Sequence, residues 1–80
     1  MLTITTYEGE EEKVDTDSGI GFVVTELGNG WAVYSKQGEK ERLMRVYTEK
    51  EQAIKAANIA ALALHNGVSV SFRDLMNDSV

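Results

Sequence analysis

His65 is the single imidazole in a chain of 80 residues, and the one side chain whose ordinary titration range lies near neutrality. General-base chemistry there needs a nucleophile and an orienting partner within reach, and no spacing in the chain supplies either. Its place just before Asn66-Gly67 instead suits the last turn of a helix, where a cation or a donor to late carbonyls is favourable. The run Asp15-Thr16-Asp17-Ser18-Gly19 has the opening of a calcium loop, with Glu26 at the twelfth position. The sixth position, which the sharp turn reserves for glycine, is Ile20, and the fifth offers no ligand. Gly28-Asn29-Gly30 lacks the Lys-Ser/Thr and the helix start of a phosphate cradle. The absence of cysteine removes disulfides, thiolate nucleophiles and cysteine-ligated zinc. The expectation is a protein that is not an enzyme, with no catalytic residue, no metal and no cofactor.

Two charged constellations remain. Glu8, Glu10, Glu11, Glu12, Asp15 and Asp17 form an acidic run, and the first thirty residues set seven acidic groups against Lys13 alone. The bland account is a solvated loop over residues 8–19 that keeps a small protein in solution. The sharper one is an anionic surface that docks on a basic partner or imitates nucleic-acid phosphates. Further along, Lys36, Lys40, Arg42 and Arg45 lie near Trp31, Tyr34 and Tyr47, and aromatic plus basic groups can hold single-stranded nucleic acid. Glu39, Glu41, Glu49 and Glu51 are threaded through the same segment, and the net charge is -5. An acidic chain does not steer itself towards phosphate, so nucleic acid is the disfavoured partner. An acidic loop of one copy meeting a basic hairpin of another, a homodimer, is a further arrangement.

The elements that must position these residues follow from patterning. Eighty residues make one domain, and a chain of that size buries only about 60% of its unfolded surface. No apolar run approaches a membrane span, and Met1–Ile4 lacks the basic start of a signal peptide; the expected location is cytoplasmic. Leu2, Ile4 and Thr6 alternate with Thr3, Thr5 and Tyr7, a strand. Ile20–Leu27 and Trp31–Lys36 are two further strands about a glycine-asparagine turn. A turn at Asn29-Gly30 pairs Leu27 with Ala32 and groups Val23, Thr25, Leu27, Ala32 and Tyr34; a three-residue turn pairs Leu27 with Trp31 and exchanges the faces. Under either, Phe22 and Val24 leave the second face apolar. Gln37–Lys40 is a turn, and Arg42–Tyr47 the next strand. Thr48 and Glu51 fit a capping box. From Glu49 to His65, Ala53, Ala56, Ala57, Ala60 and Leu64 make one stripe, with Leu62 opposite. Such a stripe brings a helix close to a sheet, so core bulk must come from Phe22, Val24, Trp31 or Tyr34, and Val46. Gly67 ends the helix, Val68–Arg73 is a last strand, and residues 75–80 are a frayed tail or one more turn of helix through Leu75-Met76.

Gly30-Trp31-Ala32-Val33, then Tyr47-Thr48-Glu49-Lys50-Glu51-Gln52-Ala53, Ala56-Ala57, Ala60, Val68-Ser69-Val70 and Arg73-Asp74 resemble the small bacterial and phage proteins of the DUF2188-like family. The resemblance covers roughly residues 22–74. The chain departs from it at Glu49-Lys50 and after Asp74, where the closing glycine is missing. It implies a strand-strand-strand-helix-strand order with an extra N-terminal strand, and a phage or mobile-element setting, and carries no chemistry. The expected fold is α+β: a small antiparallel sheet of three to five strands with one Ala-rich helix on one face. The expected function is protein–protein interaction, inhibitory or regulatory, through the acidic run, Trp31, Tyr34, Leu62 and an open sheet face. The alternatives are a weak RNA- or DNA-binding module using Lys36, Lys40, Arg42 and Arg45, and a purely structural role.

Overall fold

The computed structural model describes residues 2–14 and 19–75. Six strands and one helix follow in the order β1 Leu2–Thr5, β2 Glu11–Val14, β3 Gly21–Leu27, β4 Gly30–Gln37, β5 Lys40–Tyr47, α1 Lys50–His65 and β6 Val70–Ser71. This is an α+β fold. Its strands divide between two three-stranded sheets, β2-β1-β6 and β3-β4-β5, where one sheet was expected. The first sheet is mixed, since β6 returns parallel to β1, with Ile4 opposite Val70.

The segment read as an acidic loop over residues 8–19 contains a strand. Glu11–Val14 runs antiparallel to Leu2–Thr5, and Val14 is buried. One apolar residue at the end of a charged run hides the alternation in composition, yet backbone pairing plus burial of Val14 suffices to order it. Glu8-Gly9 makes the turn, held by the Gly9 N–H on the Thr6 carbonyl and the Glu10 N–H on Thr6 Oγ1.

The β3-β4 hairpin differs from both expected registers. Leu27 pairs with Gly30 across a two-residue turn at Gly28-Asn29, Gly28 having a φ of 59°. The slip from the first expected register is two residues, so its face grouping of Val23, Thr25, Leu27, Ala32 and Tyr34 is retained. Gly30 is a strand residue needed for space: a Cβ there would stand 2.7 Å from the Tyr47 carbonyl oxygen and 2.8 Å from Val46 Cγ1. A second two-residue turn, Gly38-Glu39, leads into β5.

Between β4 and β5 the register shifts at Val33/Tyr34, opposite Arg45 and Leu43, which leaves Met44 as the extra residue of a bulge. The bulge buries Met44, turns Arg45 inward opposite Val33, and places Val46 on the outer face opposite Ala32. Val46 is therefore 45% exposed, where core duty was expected. The core is one cluster shared by both sheets and the helix. Ile4 and Val14 come from the first sheet, Val33, Met44 and Tyr47 from the second, and Val70 and Phe72 from the C-terminal segment, with Phe22, Val24 and Trp31 packed against it. The helix contributes Ala53, Ala56, Ala57, Ala60 and Leu64, as its periodicity dictates.

The helix N-cap is Glu49, without a side-chain cap. The expected Thr48–Glu51 box does not form: Thr48 Oγ1 lies 3.5 Å from Gln52 Oε1 instead. At the other end Gly67, φ 78°, terminates the helix as expected. The last strand is only two residues long, with Val68 exposed. Leu75, in the segment expected to fray or to add one helical turn, packs against the core, and its N–H donates to the Ser71 carbonyl four residues back; residues 76–80 lie outside the described residues. Among the described residues no helix is long and apolar enough to cross a membrane.

Candidate interaction surface

Cross-strand neighbours share a face, so the outer face of β3-β4-β5 can be read row by row. Val23, Tyr34 and Leu43 make one row; Thr25, Ala32 and Val46 the next; Leu27 stands beside Gly30 at the hairpin end, and Lys36 beside Glu41 at the other. Val23 is 37% exposed, Leu27 45%, Leu43 42% and Val46 45%. Tyr34 is half-buried among them, and Ala32 is fully covered by its neighbours. No described element lies over this face; the helix takes the opposite one, which carries Phe22, Val24, Trp31 and Val33.

At the β5 edge the face runs into a groove of about 430 Å³, lined by Tyr7, Glu8, Glu10, Arg42, Leu43 and Val46 among others. Its wall is made where the β1–β2 turn docks on the bulge: the Tyr7 N–H donates to the Met44 carbonyl at 2.9 Å. The β1–β2 turn thus takes up a carbonyl at the bulge, on the free edge of β5. Tyr7 stands half-exposed at the rim.

The predicted site residues scatter relative to this surface. Tyr34 lies on it. Glu8 and Glu10 are exposed at the groove, and Glu11 is exposed on β2. Glu12 is turned towards the second sheet, where its carboxylate accepts from the buried Ser35 hydroxyl at 3.0 Å. Asp15 and Asp17, and with them the calcium-loop pattern, lie outside the described residues. Among the described residues no three acidic or imidazole side chains converge as a metal site would require. Trp31 is half-buried on the helix side, with Lys50 Nζ 5.2 Å from its ring centre. Leu62 is 61% exposed, on the outside of the helix and remote from the sheet face.

The four basic residues do not form one patch. Lys36 stands 4.0 Å from Glu41, and Arg42 4.0 Å from Glu10. Lys40 is exposed at the turn. Arg45 is a clamp: Nη1 donates to the Phe72 carbonyl at 3.0 Å and the Leu75 carbonyl at 2.9 Å. The guanidinium carbon lies 4.5 Å from the Tyr7 ring centre and 4.9 Å from that of Tyr47. Acidic run and basic hairpin therefore meet within one chain, through Glu10–Arg42. Sequence reasoning missed Val23, Leu27, Leu43 and Val46 as a set; the bulge that unites them leaves no mark in the alternation.

The architecture defines a small α+β protein with one sheet face open. Comparison with protein-family models, with characterised proteins and with solved structures finds no match to this chain.

Proposed function

We propose that this is a non-enzymatic protein-interaction module that binds through the outer face of β3-β4-β5 and the adjoining groove at the β5 edge. The observation that carries the proposal is the set of four large aliphatic side chains, Val23 and Leu27 on β3 and Leu43 and Val46 on β5, flanking Tyr34 and Ala32 of β4 on one face and each more than a third exposed. Singly exposed leucines and valines are ordinary, whereas a contiguous apolar face costs solubility and characterises a docking surface. Glu8 and Glu10, at the groove, supply acceptors at its margin, the polar rim that such interfaces carry. Leu62 and Trp31 play no part in this surface.

The test is differential capture. Wild-type protein and the double variant Leu43→Lys, Val46→Lys serve as parallel baits in lysate of the native cell. Proteins retained by the wild type and lost by the variant are the expected result. Identical captures from both baits overturn the proposal.

A further inference from the structure

We infer that the occupant of the outer sheet face is the same face of a second copy of this chain, packed sheet to sheet about a two-fold axis. The inference rests on the interaction reading above and names its partner.

The area of the face suits a second copy. Strands of seven to eight residues at about 3.4 Å per residue, three abreast at about 4.8 Å, present a face of roughly 350–400 Å² in projection. Side-chain relief raises the accessible area above that. Apposing two such faces therefore removes on the order of 1,000 Å² from water, the lower bound for a specific assembly. The β3 edge by itself, one strand against one strand, falls well short of that bound. The contact belongs at the small end of stable interfaces, and its occupancy follows concentration.

The distribution of charge suits one as well. The chain carries -5 overall, yet the two central rows of this face, Val23-Tyr34-Leu43 and Thr25-Ala32-Val46, hold no charged residue. Lys36 and Glu41 stand together at one end as a neutral pair. Such a face offers nothing to a partner selected by its charge, while a copy of itself meets it without a like charge desolvated at the centre. Where the two-fold axis runs along the strands, the Lys36–Glu41 ends of the two copies meet and can exchange partners. Glu8 and Glu10 stay at the solvated rim of the contact and Glu11 outside it, where they repel the second chain only through solvent.

Sedimentation or light scattering from low micromolar to several hundred micromolar tests this. The expected mass rises from 8.8 kDa towards twice that value, and the association tightens as salt is added, because screening relieves repulsion between two acidic chains. Leu43→Lys with Val46→Lys should hold the mass at the monomer value throughout. Leu62→Lys, on the helix, should follow the wild-type curve. A wild-type chain that stays monomeric over the range, a double variant that dimerises like the wild type, or a Leu62→Lys variant that alone abolishes dimerisation overturns the inference.

If the double variant fails to fold, the wild-type face is read directly. The chain contains no cysteine, so a chain spin-labelled at Glu8→Cys, at the groove beside the face and off its two central rows, can be mixed with isotope-labelled wild-type chains that carry no spin label. Broadening of Val23, Leu43 and Val46 resonances in the second copy is expected, and broadening absent there overturns the inference. A monomeric wild type that still loses a captured protein on Leu43→Lys, Val46→Lys ends the second-copy inference and leaves the interaction reading standing; monomer and identical captures end both.

Discussion

Arg45 shows how far one residue's role depends on its surroundings. In the chain it is one of several basic residues beside aromatics; in the fold its guanidinium ties β5 to the carbonyls of Phe72 and Leu75 and lies over two tyrosine rings. Hydrogen bonds from a charged donor contribute more than neutral ones, so Arg45→Ala should cost about 2–3 kcal/mol in urea denaturation. Arg45→Lys should recover only a minor part, because an ammonium lacks the planar donor array and the stacking of a guanidinium. Gly30 is decided by space. A Cβ at that position meets the Tyr47 carbonyl and Val46, and Gly30→Ala should lower stability by about 1–3 kcal/mol through displacement of β5. If thermal melts of Gly30→Ala match the wild type, the close approach of Gly30 to β5 is wrong.

At the scale of elements, the helix carries a correct stripe and an unoptimised start. Its alanines let it approach the sheet, and Ala60 is fully buried, so Ala60→Leu should overpack the contact and cost about 1–3 kcal/mol. The N-cap position holds Glu49 with no capping bond. Thr48→Ala should therefore change the urea midpoint little, and Glu49→Ser should raise stability by about 0.5–1 kcal/mol by supplying the missing acceptor. A large loss on Thr48→Ala would instead mean that the capping box forms. The bulge at Met44 is the other decisive element feature. It lets one strand bury Met44 and Tyr47, clamp with Arg45 and still show Leu43 and Val46 to the outside.

For the molecule as a whole, two sheets share one core, and specific polar links join them. Ser35 is buried and donates to Glu12; Tyr7 meets Met44. The price of this layout is an apolar outer face. Leu43→Lys with Val46→Lys should leave the unfolding free energy within about 0.5 kcal/mol of wild type, as replacement of exposed side chains does, while removing self-association. Unfolding of that variant at much lower urea would mark those residues as core and not as surface.

Much was legible without tertiary structure. Residue types and local spacing determined the helix and its buried alanines, the Gly67 stop, four strands expected over residues 2–7, 20–27, 31–36 and 42–47 with ends a few residues off the observed ones, and the α+β class, because periodicity and turn chemistry act over a few residues. The tertiary structure decided what depends on distant partners. Glu11–Val14 became a strand only by pairing with Leu2–Thr5, and Gly30 sits in β4 where a Cβ would meet Tyr47 and Val46 of β5. The bulge at Met44 answered to Tyr7, Phe72 and Leu75, none of them its chain neighbours. The apolar face is the sum of these choices. Its members come from three strands, and whether each points in or out was fixed by register and by a single extra residue, which local sequence does not encode.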